Sequence, residues 1–210
     1  MYLSRIKLDT HKRNTQIALS AVNHFHGAVE HALPQDRNRK LWRLDHLGGA
    51  DYLLILSHDQ PDLSSMQKQF GFLDSLGETK NYSPLLERVK KDTRWHFRLV
   101  ANPTHSEKPK DKNTRGKKYA HISDFFLYQW LERQGVKYGF TYNQSEVQIT
   151  QKKWYGFRKH GQNPPVRFRA ITYEGILQVV DENKMKEALI QGIGREKAYG
   201  MGLLTLMSLS

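Results

Sequence analysis

From position 15 to position 33 apolar residues recur at the spacing of an α-helix. Ala18, Ala21, Phe25, Ala28 and Ala32 fall three and four apart, and Ile17, Val22, Val29 and Leu33 widen the stripe. Pro34 marks the end of that helix. A stripe of this width has to be covered by other apolar surface. The segments on either side read as strands: "YLSRIKLD" before it, then "KLWRLD" and "DYLLILS", joined around Gly48-Gly49. Strand, helix, strand, strand is therefore the opening of the fold.

The rest of the chain repeats this order. Residues 62–76 read as a helix or loop, and "RWHFRLVANP" (94–103) as a strand ended by Asn-Pro. The basic run "KPKDKNTRGKK" (108–118) is the linker candidate. A helix over 123–135 follows, with Ser123 as N-cap and Gly135 as its stop. Two strands then lead into a basic hairpin, "WYGFRKHGQNPPVRFR", with its tip near 158–165. A long strand, a helix over 183–191, the loop "GIGREKAYGMG" and a last strand "LLTLMS" close the chain. Each half gives the βαββαβ order of a ferredoxin-like unit. The expectation is an α+β chain of two tandem units, 1–110 and 111–210; a length of 210 residues suits one large or two small domains.

Composition narrows the function classes. With no cysteine there is no disulfide, thiolate metal site or thiol nucleophile. No apolar run approaches the ~20 residues that span a bilayer, and "MYLSRIKLDT" lacks the apolar region of a signal peptide. A cytoplasmic protein without a membrane partner is expected. The net charge of +12 attracts polyanions, nucleic acid first. The charge is concentrated: from Val147 to Tyr173 there is no acidic residue, but Lys152, Lys153, Arg158, Lys159, Arg167 and Arg169 are present. Trp154, Tyr155, Phe157 and Phe168 are interleaved with them. Cations hold phosphates and planar groups stack on bases, so the hairpin is read as an RNA-binding element.

Two further features bear on chemistry. The glycine-rich loop carries Gly192, Gly194, Gly200 and Gly202 beside Arg195 and Lys197. It is no dinucleotide fingerprint, because it follows a helix and precedes a strand. It is either a close approach to phosphate, through Gly194, Arg195 and Lys197, or a tight helix-to-strand turn. The helix carries His24, His26 and His31. His24 and His31 share one flank, while His26 neighbours Asn23 and Glu30. Such a layout does not supply the converging set a metal wants, so neither metal nor other cofactor is expected. A single imidazole suffices to move a proton to or from an RNA oxygen.

The stretches "MYLSRI", "HGAVEHALP" (26–34), "LWRLD" (41–45), "FRLVANP" (97–103) and "GIGREKAYGMGLL" (192–204) resemble CasE-like endoribonucleases of type I-E CRISPR systems. The resemblance implies two RAMP-type ferredoxin-like domains. It implies metal-independent cutting of CRISPR RNA on the 3′ side of the repeat's hairpin stem by 2′-OH attack, leaving a 2′,3′-cyclic phosphate and a 5′-hydroxyl. It places the catalytic histidine at His26 and an auxiliary cation at His31. Some members have a tyrosine at the position of Asn23; an amide cannot titrate and can only orient. The resemblance also implies a grip on the repeat stem-loop RNA by 152–169, retention of the product, and partners among the subunits of a surveillance complex. The alternative is a non-catalytic RNA-binding subunit of the same superfamily, since fold does not determine function.

Overall fold

The structure is a computed structural model and describes residues 1–33, 38–107, 117–158 and 165–209. Strand β1 (Tyr2–Lys7) leads into α1 (Arg13–Ser20) and α2 (Asn23–His31). The hairpin β2 (Leu41–Leu47) and β3 (Ala50–Ser57) comes next, then α3 (Ser64–Phe70) and β4 (Glu78–Asn81). These strands form an antiparallel sheet in the order β2-β3-β1-β4. Helix α4 (Ser83–Arg88) connects to β5 (Arg94–Ala101) and to a small hairpin, β6 (Thr104–Ser106) and β7 (Lys118–Ala120). Helix α5 (Asp124–Tyr138), β8 (Phe140–Thr141), β9 (Val147–Phe157), β10 (Val166–Val179), α6 (Glu182–Gln191) and β11 (Leu204–Ser208) complete the chain. The second sheet runs β11-β5-β10-β8, and β9 continues the β8 side along β10.

In both sheets the fourth strand lies beside the first, then the third, then the second. This is the ferredoxin-like order, and the chain carries it twice. Strand β5 occupies the first position of the second sheet, where it pairs with β10 and β11. The fourth strand of the first sheet is the short β4. The sheets therefore divide between residues 82 and 93, not at 110/111. The strong apolar pattern of 94–103 drew that strand to the wrong half, because β4 ("ETKN") has almost no apolar residue to announce it.

Three local expectations also change. The helix over 15–33 is two helices. At Ala21 the backbone turns extended (φ −139°), and the Ser20 hydroxyl donates back to Ile17 O at 2.8 Å, competing with the helical ladder. Helix α5 passes Gly135, which is buried against Phe140, and stops at Gly139 in the left-handed conformation (φ 72°) that ends helices. Ser123 has the extended backbone of an N-cap, but its side chain makes no capping bond. The linker run 108–118 lies almost wholly outside the described residues, as do Pro34 and most of the hairpin tip.

Two apolar cores result. One lies beneath the second sheet, where α5 and α6 bury Leu127, Trp130, Leu131, Met185 and Leu189 against Phe97, Ile171 and Tyr173. The other joins the two units. Ala18, Val22, Phe25 and Val29 from α1 and α2 meet Trp42, Leu53 and Ile55 of the first sheet; the same core takes in Phe157, Phe168 and Ala170 of the basic hairpin, and Tyr199 and Met201 of the glycine-rich loop. Among the described residues no helix is long and apolar enough to cross a membrane.

Candidate active site and nucleic-acid interface

Helix α2 presents its histidines because its other face is pinned. Phe25 and Val29 are wholly buried, and Phe25 packs on Trp42 and Phe70 with ring centres 5.9 and 5.0 Å away. That fixes His26 to one flank. Its Nδ1 faces Glu30 Oε1 at 3.9 Å, one helical turn on, and Lys40 Nζ donates to the other carboxylate oxygen at 2.9 Å. Glu30 thus sits between an imidazole and an ammonium whose side chain is only 6% exposed. The imidazole of His26 keeps about a third of its surface open.

His31 does not join it. Five residues along a helix is a rotation of about 140°. The Nδ1 of His31 lies 2.8 Å from Gly27 O of its own helix. Its side chain lines a groove between α2 and α3 with Asn23, His24, Gly27, Ser65, Met66 and Gln69. The shared flank of His24 and His31 is as the spacing indicated, and it is the flank away from His26. Asn23 borders the same groove, and its buried Oδ1 has no hydrogen-bond partner among the described residues. Among the described residues no three His, Asp or Glu side chains come together in a way that could hold a metal ion.

The glycine-rich loop meets the helix from the other unit. Its 3-10 turn, Lys197–Tyr199, packs against α2 and β2. Gly200 takes a φ of 81°, and a Cβ there would stand 2.6 Å from the Trp42 ring. So the turn reading accounts for Gly200, and Gly192 and Gly202 are likewise buried and hemmed by neighbours. Gly194 is half-buried over Trp130, Arg195 is exposed, and Lys197 donates to Gln191 O at 2.7 Å. Burial, then the charges of Arg39 and Lys137, lower the pKa of Lys197 to about 8.

The hairpin cations fall on two faces, since strand side chains alternate. Lys153 and Tyr155 stand opposite Ala170 and Phe168, on the face that borders Val22, Tyr199 and Gly200 in one crevice. The Lys153 ammonium lies 4.8 Å from the centre of the Tyr155 ring. Lys152, Arg167 and Arg169 are on the reverse face. Arg167 and Arg158 are exposed, but Lys152 is paired with Asp124. Arg169 is 8% exposed and donates to His121 O and Ile122 O at 2.7 and 2.8 Å. It is a buried clamp and not a surface contact, which removes it from the expected RNA-binding set. Lys159 lies outside the described residues.

A family model described as CRISPR associated protein matches residues 1–207. The chain belongs to that family. A protein of Thermus thermophilus named CRISPR-associated endoribonuclease Cse3 is 30% identical over 98% of this chain and 99% of its own. A structure of CRISPR endoribonuclease Cse3 bound to 19 nt RNA matches with a TM-score of 0.83 at 27% identity, covering 99% of this chain and 100% of that one. Thermus thermophilus Cse3 bound to an RNA representing a pre-cleavage complex matches with a TM-score of 0.81 at 26% identity, over 98% of each chain. The resemblance to CasE-like proteins is borne out by these matches.

Within this CRISPR-associated chain, the family resemblance pointed to His26 but passed over what surrounds it. Glu30 was visible as its i+4 neighbour. Lys40 was not, because it arrives from beyond the helix. Trp42 and Tyr199 hold the loop to the helix and carry no sequence signal beyond ordinary core aromatics.

Proposed function

We propose that the chain is a metal-independent endoribonuclease that binds the stem-loop of a CRISPR repeat and cuts at the 3′ base of the stem. In the reaction the 2′-oxygen bonds to the adjacent phosphorus as its proton leaves, and the P–O5′ bond breaks as the 5′-oxygen gains a proton. The products are a 2′,3′-cyclic phosphate and a 5′-hydroxyl. His26 serves as the group that takes or gives one of these protons, with Glu30 and Lys40 on its Nδ1 side, leaving Nε2 for the RNA. Lys153, Arg158, Arg167, Arg195 and Lys197 bind the stem, with Gly194 allowing backbone approach. His31 and Asn23 face another groove and take no part in the proton transfer. The grip outlasts the cut, so the chain keeps its product and enters a type I-E surveillance complex with it. The observation that supports this reading is the shared core that packs α2 with the cationic loop and the hairpin of the other unit.

The test is single-turnover cleavage of a repeat hairpin RNA in EDTA. A second RNA carries a 2′-deoxy residue at the cut, and a second protein carries His26→Ala. Cleavage of the native RNA by the unaltered protein is expected, none of the deoxy RNA, and a rate lower by about 10²–10⁴-fold for His26→Ala with binding retained. Full activity of that variant removes His26 from the mechanism. Tight binding without cleavage by either protein establishes the RNA-binding subunit instead.

A further inference from the structure

The reverse face of the basic hairpin carries a row of rings that the reaction does not use. Tyr119 of β7 lies 6.0 Å from His105 of β6, His105 4.8 Å from His121, and His121 5.7 Å from Phe126, nearly parallel at 24°. Phe125 meets Phe126 edge-on at 5.3 Å. The outer members are open: Phe125 is 66% exposed, Phe126 48% and Tyr119 42%. His121 in the middle is 7% exposed, and its Nε2 has no hydrogen-bond partner among the described residues. The row is fastened to the hairpin by the Arg169 guanidinium, through the carbonyls of His121 and Ile122. Trp154 stands directly opposite Arg169 in the strand register, hence on the same face, and is 53% exposed.

The charges around these rings are mixed, with cations in excess: Glu132 borders Phe125 in one cleft, and the Glu107 N–H donates to Lys117 O. Lys117, Lys118 and Arg133 are exposed. Asp124 is the one acidic residue from 117 to 131, and Lys152 neutralises it. Protein-docking patches are depleted in lysine. Open rings set among cations are what unpaired nucleotides require, with bases on the rings and phosphates on the cations.

We propose that this face is a stacking platform for single-stranded RNA, distinct from the α2 site. The identity of its RNA as the unpaired sequence flanking the stem rests on the preceding reading; the platform itself does not.

The test uses the full chain and three RNAs: an eight-nucleotide oligoadenylate containing 2-aminopurine, a repeat hairpin without a tail, and the same hairpin with an eight-nucleotide tail. Quenching of 2-aminopurine on binding is expected, with tighter binding of the tailed hairpin than of the bare one. Phe125→Ala and Phe126→Ala should each weaken octamer binding, and the gain from the tail, about tenfold. Bare-hairpin binding and cleavage should not change. Phe125→Leu keeps apolar area but removes the ring, and should lose the quenching while unfolding at the same urea concentration as the parent. Octamer binding that is absent, or equal in all variants, overturns the proposal. Unchanged RNA binding with an altered sedimentation coefficient would make the face a protein-docking patch and would also overturn it. If bare-hairpin binding fails but the octamer still binds and is quenched, the platform stands and the reading of the preceding subsection falls.

Discussion

The Lys197 ammonium sits where burial and two neighbouring cations, Arg39 and Lys137, oppose its charge, and its pKa falls to about 8. In the unfolded chain the same group titrates near 10.4. Between these values the unfolded chain holds a proton that the folded chain has released, so folding stability rises with pH across that window. Below about pH 8 the folded chain bears the full cost of the buried charge. A phosphate beside Lys197 reverses the balance, because it favours the ammonium. RNA binding at pH 8.5–9 should therefore take up a proton, and affinity should fall as pH rises from 7.5 to 9.5. Calorimetry in buffers of different ionisation enthalpy measures the uptake. Lys197→Arg, which stays charged, should abolish both effects. Uptake that persists in Lys197→Arg would assign the proton to another group.

Among elements, the glycine-rich loop depends on one close contact. Gly200 lies against Trp42 with a left-handed backbone, and no other residue fits both conditions. Gly200→Ala should push the loop off β2 and α2. The expected cost is about 1–3 kcal/mol of stability, read from urea unfolding, together with weaker hairpin binding because Arg195 and Lys197 move with the loop. The sequence revealed this element's place between a helix and a strand but not its partner, since contact with Trp42 spans most of the chain. The same distinction runs through the other elements. Local periodicity located α5, α6 and the β9–β10 hairpin. It could not show that Ser20 breaks the first helix, because a serine within an apolar stripe bonds back to its own helix only in some settings, or that β4 rather than β5 completes the first sheet, because that is settled by tertiary pairing. At the proposed site, the family motif pointed to His26, whose flank the structure leaves partly open. Arg169 was misplaced, because a charge in a basic run gives no sign that its strand turns it inward to the carbonyls of His121 and Ile122.

At the scale of the whole molecule, the arrangement proposed for cleavage requires α2 from one unit to face a loop and a hairpin from the other. A buried ion pair holds the two sheets in that relation. Arg43 on β2 makes a fork to Asp45, with Nε and Nη2 each 2.7 Å from a carboxylate oxygen, and both side chains are 2% exposed. The remaining donors cross to the second sheet: Nη1 to Arg98 O and Leu203 O at 2.9 Å, and Nη2 to Thr205 Oγ1 at 2.8 Å. Arg98 of β5 in turn lies 3.3 Å from Asp45 and 3.0 Å from Glu174. Replacing such a pair outright with apolar groups can be nearly neutral, but removing one partner strands a buried charge at a cost of about 3–5 kcal/mol. Asp45→Asn should therefore lower urea-unfolding stability by that amount. Arg43→Met with Asp45→Leu should lose less than the sum of the two single changes. The Leu203 carbonyl then loses its Arg43 donor, while Arg98 O keeps the Thr205 hydroxyl at 3.4 Å, so the double variant should still fall short of the parent. Near-parental stability in Asp45→Asn would show that the sheets are held by their shared apolar core alone. In the expected case hairpin cleavage should slow in the single variant even where it remains folded, although neither residue is placed on the RNA, because the pair ties β2, which packs against the Lys197 turn, to Leu203 and Thr205 just beyond that loop.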